Sequence, residues 1–425
     1  MRRQLLQTAA IAAAFCGCTA AGLGGGPKLQ QADHGAVVET ERYRATIRRG
    51  VLTSFVNKLT AEEYLDPLAD LDRVLPHLPS GMGTQTPEAA RKAAQILYTI
   101  YPWNSAAADR YLPNHHYPAA DSKLTAARAG ERAMVLTYQG LTDGRKRYDD
   151  ESYSLRVEVD AKTGDLLLTP SAESPRPGVY GAVLTVPPLA PGITAEAPIM
   201  DGVRLTADMP HHLAYAEWAS SWDYAFMALN GRKTGAVGIW AQDAEMKYYK
   251  HLFFLVNREG LSFSMNTMNV PPFEKLTRAT GMTWRVQAFD RSWAQAAARF
   301  RAWRAEKIKF APRPEWTRRV SLVNGGVNAN KLWLDVLRAF FGGHGLDRTV
   351  TFAPVIRGRP FDRAHWDNIP YKGFKDDMPA WKESGAKLMA YLQPMIMWGG
   401  ATPTEEDKKV IALAEQARTH SVFQD

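Results

Sequence analysis

The sequence predicts a mixed fold: antiparallel β-structure up to about residue 310, then a parallel array of βα units over 315–425. Three observations predict it. Stretches of alternating apolar and polar residues are joined by hairpin turns such as Thr142-Asp143-Gly144 and Lys162-Thr163-Gly164-Asp165. After Trp316 the apolar runs become nearly continuous and helical patterns separate them, as in parallel strands buried on both faces. With 45% apolar and 10% aromatic residues in 425, the chain has material for two or three domain cores.

The first thirty residues stand apart. Arg2-Arg3-Gln4-Leu5-Leu6 is a twin-arginine pair, and the Ala-rich run from Ala9 to Phe15 is apolar but too short to span a bilayer. This resembles a bacterial twin-arginine export signal, which implies a periplasmic or secreted protein. Both cysteines, Cys16 and Cys18, lie at its end and offer lipid-anchor positions. Cleavage near Ala20 or Ala21 is the simpler expectation, and it leaves no cysteine for a disulfide or a zinc site.

Strands are expected at 36–40, 43–47 and 51–56, with Gly50 turning the second into the third. Residues 66–128 are less regular and read as a helical insertion, its helix starting at Thr86-Pro87. Strands resume at 133–138, 153–159 and 166–169, and a Pro-rich connector over 170–198 reads as loop and edge. Further strands are expected at 222–228, 235–243, 249–256 and 283–289, before a helix over 292–303.

The parallel array begins with a strand at 319–324, broken by Gly325-Gly326. The helix after it places Leu334, Leu337 and Phe340-Phe341 on its inward face. A strand at 349–355, a helix at 376–384 and a strand at 387–394 follow, and then a helix over 404–414. Three such units in a row predict the opening of a (β/α)8 barrel, whose sites lie at the C-terminal strand ends. The candidates there are Asn324 after the first strand, Arg357, Arg359 and Asp362 after the second, and Gln393 and Trp398 after the third.

The early strand, glycine turn and second strand resemble the opening of galactose-mutarotase-like β-sandwiches. Gly238-Ile239-Trp240, then Trp284-Arg285-Val286, then an Ala-rich helix ending Phe300-Arg301-Ala302-Trp303 before a barrel resemble one group more closely. These are glycoside-hydrolase-like proteins with a sandwich followed by a TIM barrel, a family of unknown function, and the resemblance covers about residues 36–400. It implies a mutarotase-like antiparallel β-sandwich over 36–310 and an incomplete (β/α)8 barrel over 315–425. It also implies a carbohydrate substrate and hydrolysis of O-glycosyl bonds in an extracytoplasmic glycan. That reaction needs two carboxylates roughly 5–9.5 Å apart, which barrel enzymes commonly place on the fourth and a later strand. The sequence shows no fourth strand. The implied reading is therefore an enzyme truncated before its catalytic carboxylates, and the alternative is a non-catalytic carbohydrate-binding or structural remnant. In a sugar site Trp398 would stack on a pyranose while Asp362, Arg357 and Gln393 bond hydroxyls. The plainer reading leaves solvated loop charges and a packed tryptophan.

Other classes lose their first evidence. The net charge is +8, the basic residues are scattered, and no basic stripe with interleaved aromatics points to nucleic acid. Gly-x-Ser-x-Gly, P-loop and dinucleotide fingerprints are absent, so no cofactor is implied. His115-His116 and His211-His212 would point to opposite sides of an extended segment, so surface or loop roles are expected and no metal. Asp243 either faces the barrel mouth or caps a turn. Glu62-Glu63 and Asp149-Asp150-Glu151 read as turn and solvated charges, and Trp222, Trp240, Trp284, Trp293 and Trp303 as core rather than sugar platforms.

Overall fold

The computed structural model describes residues 26–74, 81–84, 114–199, 202–209, 212–218, 222–269, 276–309, 312, 314–324, 331–341, 345–353 and 374–390. The leader, the helix at Pro87, the candidates Arg357, Arg359, Asp362, Gln393 and Trp398, and the helix over 404–414 lie outside those residues. The chain divides into two compact units, Met1–Lys309 and Phe310–Asp425.

The first unit is an antiparallel β-sandwich. Its smaller sheet runs in chain order through β1 (Lys28–Ala32), β2 (Gly35–Glu39), β3 (Tyr43–Arg48), β4 (Val51–Asn57) and β5 (Glu62–Glu63). Alternation builds it: Tyr43, Ala45 and Ile47 are buried while Arg44 and Arg48 are exposed. The larger sheet comprises β6 (Gly81–Thr84), β7 (Asn114–Arg128), β8 (Ala133–Thr142), β9 (Arg147–Val159), β10 (Leu166–Glu173), β11 (Val179–Val186), β12 (Thr194–Ala197) and β13 (Val203–Leu205). It continues with β14 (His212–Trp218), β15 (Phe226–Asn230), β16 (Ala236–Ala241), β17 (Tyr249–Asn257), β18 (Gly260–Met268), β19 (Arg278–Thr280) and β20 (Trp284–Phe289). The order is β13-β12-β15-β16-β20-β10-β9-β8-β7-β6-β11-β18-β17-β14, with β19 beside β10. One strand joins the two runs: β7 pairs β6 through Asn114–His116 and β8 from Tyr117 onward, with a register shift after Pro118. The main core draws Tyr43 and Phe55 from the small sheet together with Leu155, Leu184, Phe254 and Trp284 from the large one.

The hairpin turns behave as their sequences dictate. Asp143 Oδ1 accepts the N–H groups of Arg145 and Lys146 at 2.8 and 2.7 Å, Gly144 takes φ +85°, and β8 pairs β9 down to Thr142 opposite Arg147. Asp160 does the same for Lys162 and Thr163, with Gly164 at φ +72°. A remote strand locks this second turn. Arg285 of β20 is buried and donates to Asp160 at 2.8 Å and to Asp165 at 2.6 Å.

Two stretches depart from expectation. Residues 114–128, read as part of an irregular insertion, form the 15-residue strand β7. Within the 170–198 connector, β11 is no edge: it lies between β6 and β18. The prolines explain how. Pro175 and Pro177 precede β11 and Pro187 and Pro188 follow it, so no ladder donor is lost inside it. Pro170 sits in β10 where pairing with β20 ends at Leu168 and pairing with β19 starts at Ser171.

A helix, Trp293–Lys307, closes the unit. Its face of Ala296, Phe300 and Trp303 packs on Phe226, Trp240 and Phe289 in a second core, with Phe300 stacked on Phe226 at 5.0 Å between ring centroids.

The second unit holds a parallel sheet of β21 (Leu322–Asn324), β22 (Thr349–Ala353) and β23 (Lys387–Ala390), with helices Lys331–Phe340 and Phe374–Ser384 between them in the chain. Leu334, Leu337, Leu346, Trp381 and Ala386 form its core. Phe341 packs against that core, but Phe340, expected inward, is 75% exposed. It lies in the last turn, about 60° beyond Leu337 and about 120° round the helix from Leu334, so it falls off the edge of the buried stripe.

Candidate functional site: a basic cleft beside Trp293

The β15–β16 hairpin sets the frame. Gly231 donates its N–H to the Gly235 carbonyl at 2.9 Å. A Cβ on Gly231 would meet the Tyr64 hydroxyl at 2.5 Å, and one on Gly235 would meet Thr60 at 2.7 Å, so both positions need glycine for space. Glu62 of β5 is buried and accepts the backbone N–H and Nε–H of Arg232 at 2.8 and 3.0 Å. Glu63 Oε1 accepts three backbone N–H groups, those of Phe55, Tyr64 and Leu65. The Glu62-Glu63 pair, expected in solvent, is thus an anchor, because the hairpin and the small sheet close over it.

Asn230 at the end of β15 then fixes the helix. Its Oδ1 accepts the Trp293 N–H at 3.1 Å, the first helical donor, and its Nδ2 donates to Glu196 of β12 at 3.1 Å. Glu196 also accepts Arg204 Nε–H at 2.6 Å, since the two residues are opposite each other in β12 and β13. Gln295 reaches back to the Arg291 N–H at 3.2 Å.

Around this frame opens a cleft of about 640 Å³, lined by Arg204, Lys233 and Arg291 together with Thr194, Asn230, Thr234, Ser292 and Trp293. Among the described residues no aspartate or glutamate lines it. Trp293, expected in the core, is 41% exposed. Its 3–4–3 spacing with Ala296, Phe300 and Trp303 explains the expectation; standing at the first helical position, it has no further turn behind it to cover the ring. The cleft offers a flat apolar ring, several hydrogen-bond donors and positive charge. Among the described residues it offers no carboxylate, so what they supply there is binding and not the acid and base of glycosidic cleavage.

Two buried ionic clusters lie elsewhere. His116 and Glu151, expected as surface groups, are both buried, with His116 Nδ1 2.5 Å from Glu151 Oε2. Glu151 is inward because β9 turns alternate residues to the core, while Asp149 and Asp150 stay exposed, and His116 lies in a run of buried residues that continues to Ala119. Glu151 Oε1 accepts from Ser174 at 3.0 Å and Arg176 at 2.6 Å, and Tyr148 stacks on the His116 ring at 4.2 Å. Asp243 caps a turn, accepting the N–H groups of Lys247 and Tyr248, and also meets the buried Lys250 at 2.7 Å. Lys250 Nζ stands 3.7 Å over the Trp218 ring.

His251 in β17 is 1% exposed, and burial pushes its imidazole down to about 3. Between that value and the unfolded 6.5, the unfolded chain binds the extra proton. The stabilisation is therefore complete above pH 6.5 and drains away as pH falls, by at most about 1.4 kcal/mol per pH unit. Urea midpoints measured from pH 7.5 to 4.5 should fall, and His251→Phe should flatten the fall; identical slopes would refute this origin.

Of the strand-end candidates, Asn324 ends β21 opposite Thr351 in β22; the other five lie outside the described residues. Among the described residues no three His, Cys, Asp or Glu are grouped to hold a metal ion, and no helix is long and apolar enough to cross a membrane. The cleft itself was legible only in part. Asn230, Arg291 and Trp293 carry no motif, and Arg204 is about ninety residues away from Trp293 in sequence.

No family model matches this sequence, and no curated protein matches it. Among solved structures it is similar to the alpha-N-acetylgalactosaminidase NagBb from Bifidobacterium bifidum, at 10% identity and a TM-score of 0.46 over 83% of this chain and 58% of that one. It is similar also to the family 36 alpha-galactosidase AgaB from Geobacillus stearothermophilus, at 10% identity and a TM-score of 0.36 over 87% and 57%. A family 31 dextranase from Flavobacterium johnsoniae matches at 10% identity and a TM-score of 0.29 over 65% and 36%. The chain thus spans less than three fifths of the length of each of these glycoside hydrolases.

Proposed function

We propose that this is a carbohydrate-active protein of the glycoside-hydrolase-like kind, acting on an extracytoplasmic glycan, and that its sandwich unit binds sugar in the cleft beside Trp293. One observation carries the cleft reading: a 41% exposed indole is held at the start of a helix, among side-chain donors fixed by the Asn230–Glu196–Arg204 chain. A sugar ring needs an apolar face to stack on and polar groups at its edge, and preorganised donors reduce the cost of ordering on binding. The order of sequence motifs that resembles glycoside-hydrolase-like proteins supports the same class. Bond cleavage itself, in this reading, belongs to carboxylates outside the cleft, with Asn324, Arg357, Arg359, Asp362, Gln393 and Trp398 as sugar contacts at the parallel strand ends.

Trp293→Ala is expected to weaken oligosaccharide binding by about 2 kcal/mol or more, ~30-fold in Kd, as for a buried aromatic anchor. Titration calorimetry on both proteins checks it, with matching thermal melts to show that the fold is intact. Unchanged affinity in a folded variant would remove the cleft from the reading.

A further inference from the structure

We infer that the sugar taken by this cleft is acidic, a saccharide bearing carboxylates of the uronic-acid type. This rests on the sugar-binding reading of the same cleft and narrows it. Three cationic side chains, Arg204, Lys233 and Arg291, line it, with no acidic residue among the described lining residues. How each is committed decides what it has left to give. Arg204 is bound to Glu196 through Nε alone, and its side chain is 63% exposed. Among the described residues its two terminal nitrogens make no hydrogen bond, so one edge of the guanidinium fork remains open. That planar pair of donors matches a carboxylate in a bidentate arrangement. Lys233 Nζ donates to a neutral group, the Thr60 carbonyl, at 3.1 Å, which leaves its charge uncompensated. The Arg291 side chain has no ion pair among the described residues.

Glu196 is the acid that could neutralise the cleft, and it is already engaged by Arg204 and by Asn230 Nδ2. Local excess charge therefore remains at the cleft. The 15-residue helix beginning at Trp293 adds the positive end of its dipole on the same side, and Ser292 makes no side-chain cap to it. A neutral glycan would leave Lys233 and Arg291 without a counter-charge among the described residues, Arg204 being paired with Glu196. A uronate would supply it while its ring lies against Trp293.

The test is calorimetry with three probes: a uronic-acid trisaccharide, its carboxyl-reduced neutral counterpart, and a sulfated neutral trisaccharide. The uronate should bind at least about tenfold more tightly than the reduced form, the effect of charge-assisted hydrogen bonds, and that margin should shrink as salt is raised. The double variant Arg204→Ala with Arg291→Ala should remove most of this margin, whereas Trp293→Ala should weaken binding of the uronate and the reduced form by similar factors. Equal binding of uronate and reduced forms, still lost in Trp293→Ala, would overturn the acidic assignment and leave sugar binding intact. Preference for the sulfated probe over the uronate would overturn the carboxylate assignment. Failure of all three probes to bind would count against the sugar-binding reading itself.

Discussion

Replacing Glu151 by alanine should cost the sandwich about 3–5 kcal/mol of stability, the range for breaking a buried ion pair by removing one partner. Glu151 is wholly buried and accepts from His116, Ser174 and Arg176 at once. Burial pushes its carboxyl upward, but the His116 and Arg176 contacts outweigh burial and hold it below the ordinary carboxylate range. Without it, His116 and Ser174 lose an acceptor in a place water does not reach, while Arg176, 44% exposed, is partly resolvated. Ser174→Ala removes a single hydrogen bond and should cost only about 1 kcal/mol. Urea unfolding of both variants checks the ordering. A loss below about 1 kcal/mol for Glu151→Ala would show that the cluster contributes little net energy.

Lys250→Met is expected to be comparably damaging, for the opposite charge. The lysine is 1% exposed, donates to the Tyr248 carbonyl at 2.6 Å and pairs with Asp243. Burial holds its pKa below the ordinary lysine value, and Asp243 offsets part of that. Methionine fills the space but leaves the Asp243 carboxylate buried with only two backbone donors, at a cost of about 3–5 kcal/mol. Adding Asp243→Asn removes the orphaned charge. The double variant should therefore be less destabilised than the sum of the singles, by roughly 1–3 kcal/mol of coupling. Strict additivity in a double-mutant cycle would mean that the pair does not act as a unit.

The elements written in local patterns were legible in the sequence. Alternation gave β2, β3, β4, β8 and β9, and turns at Gly50, Asp143-Gly144 and Asp160–Asp165 join β3 to β4, β8 to β9 and β9 to β10. The parallel units were legible because short apolar runs alternate with helical patterns, although Val323 in β21 is exposed rather than buried. β18 is absent from the expected strands although Leu261, Phe263 and Met265 alternate with Ser262, Ser264 and Asn266; what the alternation does not reveal is that both sets are buried.

By itself, then, the sequence determined the type and order of most elements, the hairpin turns and the class of resemblance, since each depends on residues within a few positions of one another. Tertiary structure alone decided that Glu62 and Glu151 are buried anchors, that the turn-capping Asp243 also meets the buried Lys250, that β11 is interior to its sheet, and that Trp293 is exposed. Those outcomes depend on which strands pair across the chain: Glu196 meets Arg204 through the β12–β13 register, and Asn230 meets Trp293 across 63 residues. The basic cleft exists because those long-range pairings converge at one helix end, and no local spacing encodes that convergence.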